Sequence, residues 1–187
     1  DMISFQAMDG VDAVIGLHCD PELEVGRVGL KEGAFTAAFD KFKFKIVGKG
    51  GHGARPHHCV DPILVATDLA NALYKIPDRY LDARDPVVVS IGQITSGDSP
   101  NVIPEEAEIR GTIRTLSQKH REKLDPLLNK IAGGICMTHG ASYDLDIERG
   151  APAVVNDHTV IDTVRDTALR LLEKDDPIYE IPLPSMG

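Results

Sequence analysis

The alternation of two hydrophobic periods between residues 37 and 149 constrains the fold of this chain most. In the stretch Phe39 to Val47, Phe42, Phe44 and Ile46 face one way and Lys41, Lys43 and Lys45 the other. A period of two with one wet face belongs to an amphipathic strand. Asp61-Pro62 then reads as a helix start, Asp as N-cap and Pro at the first position. Ile63, Ala66, Leu69, Ala70 and Leu73 repeat at helical spacing, and Pro77 closes the stretch. Val87 to Ile94 is a second strand, halted by the turn residues Ser96-Gly97-Asp98-Ser99-Pro100. Glu106 to Thr115 is a third, with Ile109, Gly111 and Ile113 opposite Arg110, Thr112 and Arg114. Ser117 can cap a second helix bearing Leu124, Leu127, Leu128, Ile131 and Ile135, in which Pro126 predicts a kink or a late start. Tyr143, Leu145 and Ile147 alternate with Asp144, Asp146 and Glu148 in a fourth strand. Strand, helix, strand, strand, helix, strand is the split βαβ, ferredoxin-like pattern.

The flanks have a different character. Val11 to Leu17 is a nearly continuous apolar run, as expected of a strand buried on both faces. His18 follows at its carboxyl end, where open α/β sheets bind ligands. Asn156-Asp157 can start a third helix with Val160, Ile161, Val164, Ala168, Leu171 and Leu172 on its apolar face. The expectation is an α+β chain: a ferredoxin-like domain over residues 37–149, inserted into an incomplete α/β domain formed by residues 1–36 and 150–187. A start at Asp1 without an initiator Met, and an end at Ser185-Met186-Gly187, predict a piece of a longer protein.

Between the first strand and first helix lies Gly48-Lys49-Gly50-Gly51-His52-Gly53-Ala54-Arg55-Pro56-His57-His58. Glycine at four of six positions leaves room for a ligand or another backbone, and His52 is the side chain that could touch it. The bland alternative is a mobile loop carrying surface histidines. Gly48-x-Gly50-x-x-Gly53 formally matches the dinucleotide fingerprint, but its context fails. The helix opens only after Pro56, and no acidic residue ends a second parallel strand about twenty positions on.

Composition removes other classes. A net charge of −9 argues against nucleic acid, which needs clustered Lys and Arg, and the third strand has no aromatic residue on which a base could stack. No apolar run approaches the ~20 residues of a membrane helix. Cys19, Cys59 and Cys136 are odd in number and unpaired by any spacing rule, which points to a reducing, cytoplasmic compartment. Neither His-Glu-x-x-His nor Gly-x-Ser-x-Gly occurs. His18, even with Cys19 or Asp20 beside it, does not close a metal site.

Four ordered motifs add a resemblance: Gly16-Leu17-His18-Cys19-Asp20-Pro21, Gly50-Gly51-His52-Gly53-Ala54-Arg55-Pro56-His57 with Val60-Asp61-Pro62, Asn101-Val102-Ile103-Pro104, and Gly111-Thr112-Ile113-Arg114-Thr115. In order and spacing the chain resembles the metal-dependent amidohydrolases and peptidases that include hippurate hydrolase, aminoacylase and the plant hydrolases of indole-acetyl-amino acids. The resemblance implies a catalytic domain holding two divalent metals (zinc, manganese or cobalt) and an inserted ferredoxin-like lid that forms a homodimer. It implies that His18 is a metal ligand and that His52 reaches the partner subunit's active site to stabilise an oxyanion. Asn101 and Arg114 would hold the substrate, an N-acyl amino acid, including its carboxylate. The reaction implied is amide hydrolysis, with metals polarising the carbonyl and a glutamate as base.

The family's Cys-x-His ligands and paired glutamates would precede Asp1 and its last histidine ligand would follow Gly187, so these residues alone are expected to be inactive. Other readings stay open for single residues. Arg114 suits a surface ion pair, Asn101 a turn, and His57 and His58 polar groups at a helix entry. A non-catalytic dimerisation or ligand-binding module of the same fold is the alternative for the whole.

Overall fold

The structure, a computed structural model, describes residues 4–186. It divides into two compact units, one of residues 36–154 with 185–187 and one of residues 1–35 with 155–184. The larger contains β1 (Ala38–Val47), α1 (Pro62–Tyr74), β2 (Val87–Ser96), β3 (Glu106–Thr115), α2 (Gln118–His139) and β4 (Ser142–Arg149). The sheet order is β2-β3-β1-β4, every neighbouring pair antiparallel. The first strand therefore lies between the third and the fourth, which is the ferredoxin-like order the periodicities predict.

The alternation of β1 becomes its two faces. Phe42, Phe44 and Ile46 are buried against Val65, Ala66, Leu69 and Leu73 of α1 and Leu124, Leu128, Ala132 and Cys136 of α2. Lys41 and Lys45 stay on the wet face, where they pair with Glu148 at 2.9 Å and Glu106 at 2.8 Å. Burying each large apolar side chain contributes roughly 1.5–3 kcal/mol, so this one face dominates the stability of the unit.

The helices depart from expectation in detail. Asp61 caps α1, its carboxylate accepting from the Ile63 N–H at 2.9 Å. The buried stripe, however, takes in Val65 and leaves Ile63 43% exposed, because Val65, Ala66, Leu69 and Leu73 are the positions aimed at the sheet. Pro77 does not merely close α1; it lies in the first turn of a short helix, Ile76–Arg79, where its missing N–H costs nothing. Ser117 caps α2 as expected, but α2 runs unbroken through Pro126 and starts on time. Pro126 and Glu122 are both exposed, so the carbonyl that loses its partner can be hydrated.

In the smaller unit, Val28–Leu30 pairs in parallel with Ile178–Glu180. α3 (His158–Leu171) is capped by Asp157, whose carboxyl the N–H groups of Val160 and Thr159 hold below the usual range. Its expected apolar face is only half-buried, with Ala168 enclosed and Leu171 73% exposed. The expected strand Val11–Leu17 is not formed: the segment is irregular and exposed, Leu17 by 84%. A strand buried on both faces exists only with ladder partners and covering layers, and none of the described residues supplies them. No described helix is long and apolar enough to cross a membrane.

One charged residue sits on the apolar face of β1. Asp40 is 2% exposed and accepts from Arg121 Nε at 2.9 Å, Arg121 Nη2 at 2.6 Å, Arg149 Nη1 at 2.6 Å and the Gly150 N–H at 3.2 Å. Burial pushes this carboxyl up, but hydrogen bonds from Arg121 and then Arg149 outweigh it and leave the group below its ordinary value. A depressed carboxyl stabilises the fold above its unfolded pKa, and that contribution is lost as pH falls through the folded one. Asp40→Asn should therefore destabilise the unit by about 3 kcal/mol at pH 7, by stranding Arg121. The gap to wild type should shrink below about pH 4, as urea denaturation at several pH values would show.

Candidate functional site

The glycine-rich segment is not a mobile loop but a closed one. Lys49 and Val60 exchange both backbone hydrogen bonds, Lys49 N–H to Val60 C=O at 2.8 Å and the reverse at 3.0 Å. The Gly48 N–H donates to the Glu105 carbonyl at 2.8 Å, and Gly51–His52 forms a short antiparallel ladder with Val102–Ile103. The Gly53 N–H then donates to the Asn101 carbonyl at 2.8 Å. Two glycines are required by approach: a Cβ on Gly48 would lie 2.2 Å from the Val60 oxygen, and one on Gly53 2.9 Å from the Asn101 oxygen.

This ribbon, at the end of the sheet where β1 stops, carries His52 opposite Val102, with Asn101 next along the other strand and bonded to Gly53. His52 is exposed, and its Nδ1 accepts from the Ala54 N–H at 3.1 Å. With Nδ1 occupied as an acceptor, the neutral ring carries its proton on Nε2, a donor turned away from the backbone. Asn101 Oδ1 accepts from the Ser99 hydroxyl at 2.8 Å. His52 thus spends its acceptor nitrogen inside the chain and keeps its N–H for a ligand, and Asn101 keeps N–H groups that no described residue accepts. Sequence reading missed Ser99 and the Ala54 N–H; their only signal was proximity, each two positions from the residue it holds.

Arg114 lies elsewhere. It pairs in register with Phe39 on β1 and Val88 on β2, and its guanidinium sits 4.5 Å above the Phe39 ring. From Phe39 to the end of β1 at Val47 is eight residues, about 27 Å of strand, so Arg114 and the His52 ribbon occupy opposite ends of one sheet. His57 and His58 form an exposed 3₁₀ turn with rings 4.2 Å apart, as suits polar groups at a helix entry.

His18 lies in the irregular segment, its ring edge-on to Phe35 at 6.5 Å. Among the described residues no group of three or more His, Cys, Asp or Glu side chains could hold a metal ion. His18 can supply one ligand; the described residues do not by themselves build a centre. The three cysteines are free thiols.

Residues 37–136 match the family described as the peptidase dimerisation domain. The chain belongs to that family. It is 40% identical over 156 residues to an N-acyl-L-amino acid amidohydrolase of Geobacillus stearothermophilus, covering 83% of this chain and 42% of that one. It is 36% identical over 164 residues to an N-acetylcysteine deacetylase of Bacillus subtilis, covering 88% of this chain and 43% of the other. Its fold matches a crystal structure from Bacillus subtilis, described as a dinuclear metal binding peptidase from the M20 family, with a TM-score of 0.80, 30% identity and coverage of 100% of this chain and 45% of that one. The dimerisation-domain chain thus spans under half the length of these relatives.

The closed loop makes a checkable claim about dynamics. Gly48→Ala should open the Lys49–Val60 bridge while leaving the sheet intact, because its Cβ meets a backbone oxygen that no rotamer can move. Amide exchange at Lys49 and Val60 should accelerate at least about tenfold, with β1 and β3 amides unchanged.

Proposed function

We propose that the whole protein is a homodimeric, metal-dependent hydrolase of amide bonds in N-acyl amino acids or related small amides. In this reading residues 37–149 are the lid and dimerisation domain, and residues 1–36 and 150–187 belong to the catalytic domain. His18 is one ligand of a centre holding two divalent metals, zinc, manganese or cobalt. The names of the relatives, an amidohydrolase and a deacetylase, support the reaction class.

The observation that carries the reading is His52, held by the Ala54 N–H so that Nε2–H faces outward from a rigid, exposed ribbon. As water adds to an amide carbonyl, negative charge grows on the carbonyl oxygen. A neutral imidazole already fixed as a donor stabilises that charge without reorganising. Asn101, on the same ribbon, offers further N–H donors, and the planar fork of Arg114 suits a substrate carboxylate.

One protomer's sheet keeps Arg114 about 27 Å along the strand from this ribbon, so a substrate that both hold lies between two copies. The sheet's two edges differ in their fitness for that pairing. β4 carries Asp144, Asp146 and Glu148, which would confront their own copies across a two-fold axis. β2 carries no charged residue along its whole length and exposes Val88 and Ile94. Antiparallel pairing of β2 with its copy sets the Val87 end of one strand beside the Ser96 end of the other. That brings Arg114, registered on Val88, toward the partner's Asn101 and His52 ribbon.

Two outcomes test the proposal. In the whole protein, His52→Ala should lower kcat by about 10²- to 10³-fold with metal content unchanged, and unaltered turnover would refute the oxyanion role. Val88→Asp combined with Ile94→Asp should yield monomers by light scattering, since a charged edge resists self-pairing. A dimer that survives both charges would place the interface elsewhere.

A further inference from the structure

Arg114 is a cation without an anion. The residues opposite it in register, Phe39 on β1 and Val88 on β2, are both uncharged, so the ion pair that suits an arginine on a wet sheet face is not formed. Arg110, on the same face of β3, is bonded to Glu108. Arg114 makes neither a hydrogen bond nor an ion pair with any described residue; what it has is the Phe39 ring, 4.5 Å from its guanidinium carbon. The other cation near that ring, Lys41 at 5.8 Å, is committed to Glu148 at 2.9 Å. Backbone places the ring itself. The Phe39 N–H donates to the Ala151 carbonyl at 3.1 Å, and Gly150 passes so close that a Cβ there would lie 2.9 Å from the ring's Cδ1.

A carboxylate and an aromatic face hold an arginine differently. A carboxylate takes up the N–H donors and cancels the charge. A ring face attracts the cation through its quadrupole, leaving the charge uncancelled and the donors without a strong acceptor. A long side chain with no partner at all must be ordered each time a ligand binds, at a cost in affinity. From this we propose that Phe39 is a positioning residue, its ring ordering Arg114 in advance while leaving the guanidinium's charge and N–H fork to a substrate carboxylate. The proposal rests on Arg114 being the contact for that carboxylate and names what prepares it. Phe39 acts through Arg114 alone.

Steady-state hydrolysis of an N-acyl amino acid by the whole protein tests this. Phe39→Leu keeps an apolar side chain in the strand but removes the ring face. It should raise KM about two- to tenfold, the ordering cost of one long side chain, with kcat within about twofold of wild type. Phe39→Tyr, which keeps a ring face, should leave KM within about twofold of wild type. In an Arg114→Ala background, which itself raises KM, adding Phe39→Leu should have no further effect. If Arg114→Ala raises KM while Phe39→Leu does not, or if Phe39→Leu still raises KM when Arg114 is absent, the positioning role is wrong. A KM for Phe39→Tyr as high as that for Phe39→Leu counts against it equally. If Arg114→Ala leaves KM unchanged, the carboxylate-contact reading fails and takes this inference with it.

Discussion

β1 is hydrogen-bonded on both sides, to β3 along its whole length and to β4 along most of it, and its register governs everything else in the larger unit. A slip by one residue would turn Phe42, Phe44 and Ile46 to solvent and drive Lys41, Lys43 and Lys45 into the core. No competing register comes near that in energy. The rest follows from a fixed strand: Val47 ends it opposite Glu106, so the glycine loop starts where the turn before β3 arrives. Asp40, near the other end, ties the strand to α2 and to the exit of β4 through Arg121 and Arg149.

That fixed meeting of two loops explains why glycine is needed there. The ribbon of residues 48–53 and 101–105 is built from backbone, and backbones approach closely only where side chains are missing. The Lys49–Val60 bridge then pairs the backbone N–H and carbonyl of both residues. The side chains of His52 and Asn101 keep N–H groups that no described residue accepts. Such donors are the complement of an oxyanion or carboxylate.

The sheet was legible because period-two alternation runs through most of β1, β3 and β4, and the caps Asp61, Ser117 and Asp157 announce their helices. Less legible was which face of a helix turns inward. Ile63 and Val65 are equally apolar, and only the angle at which α1 crosses the sheet chooses Val65. Asp40 was invisible for the opposite reason: a charge on an apolar face contradicts the pattern unless its two arginines, far away in sequence, are already in place. The strand expected at Val11–Leu17 failed because an apolar run states a need for cover, not that cover is at hand. For the candidate site, the motifs point to His52 and Asn101, but the bonds that hold them, from the Ala54 N–H and the Ser99 hydroxyl, are flagged by no spacing rule.

In the proposed function, the separation of Arg114 from the ribbon is what gives dimerisation a role beyond stability. In a ferredoxin-like sheet, loops after β1 and before β3 gather at one end, while the C-terminal part of β3 lies at the other. No rearrangement within one unit could close about 27 Å of paired strand without unzipping the ladder that buries the core. Association of two sheets along an uncharged edge needs no such cost. An antiparallel pairing maps each end of one protomer onto the opposite end of its neighbour, so residues that one chain holds apart are brought together twice, at two equivalent places. With the two-fold axis through β2, as proposed, topology alone would make one composite site of the two separated ends.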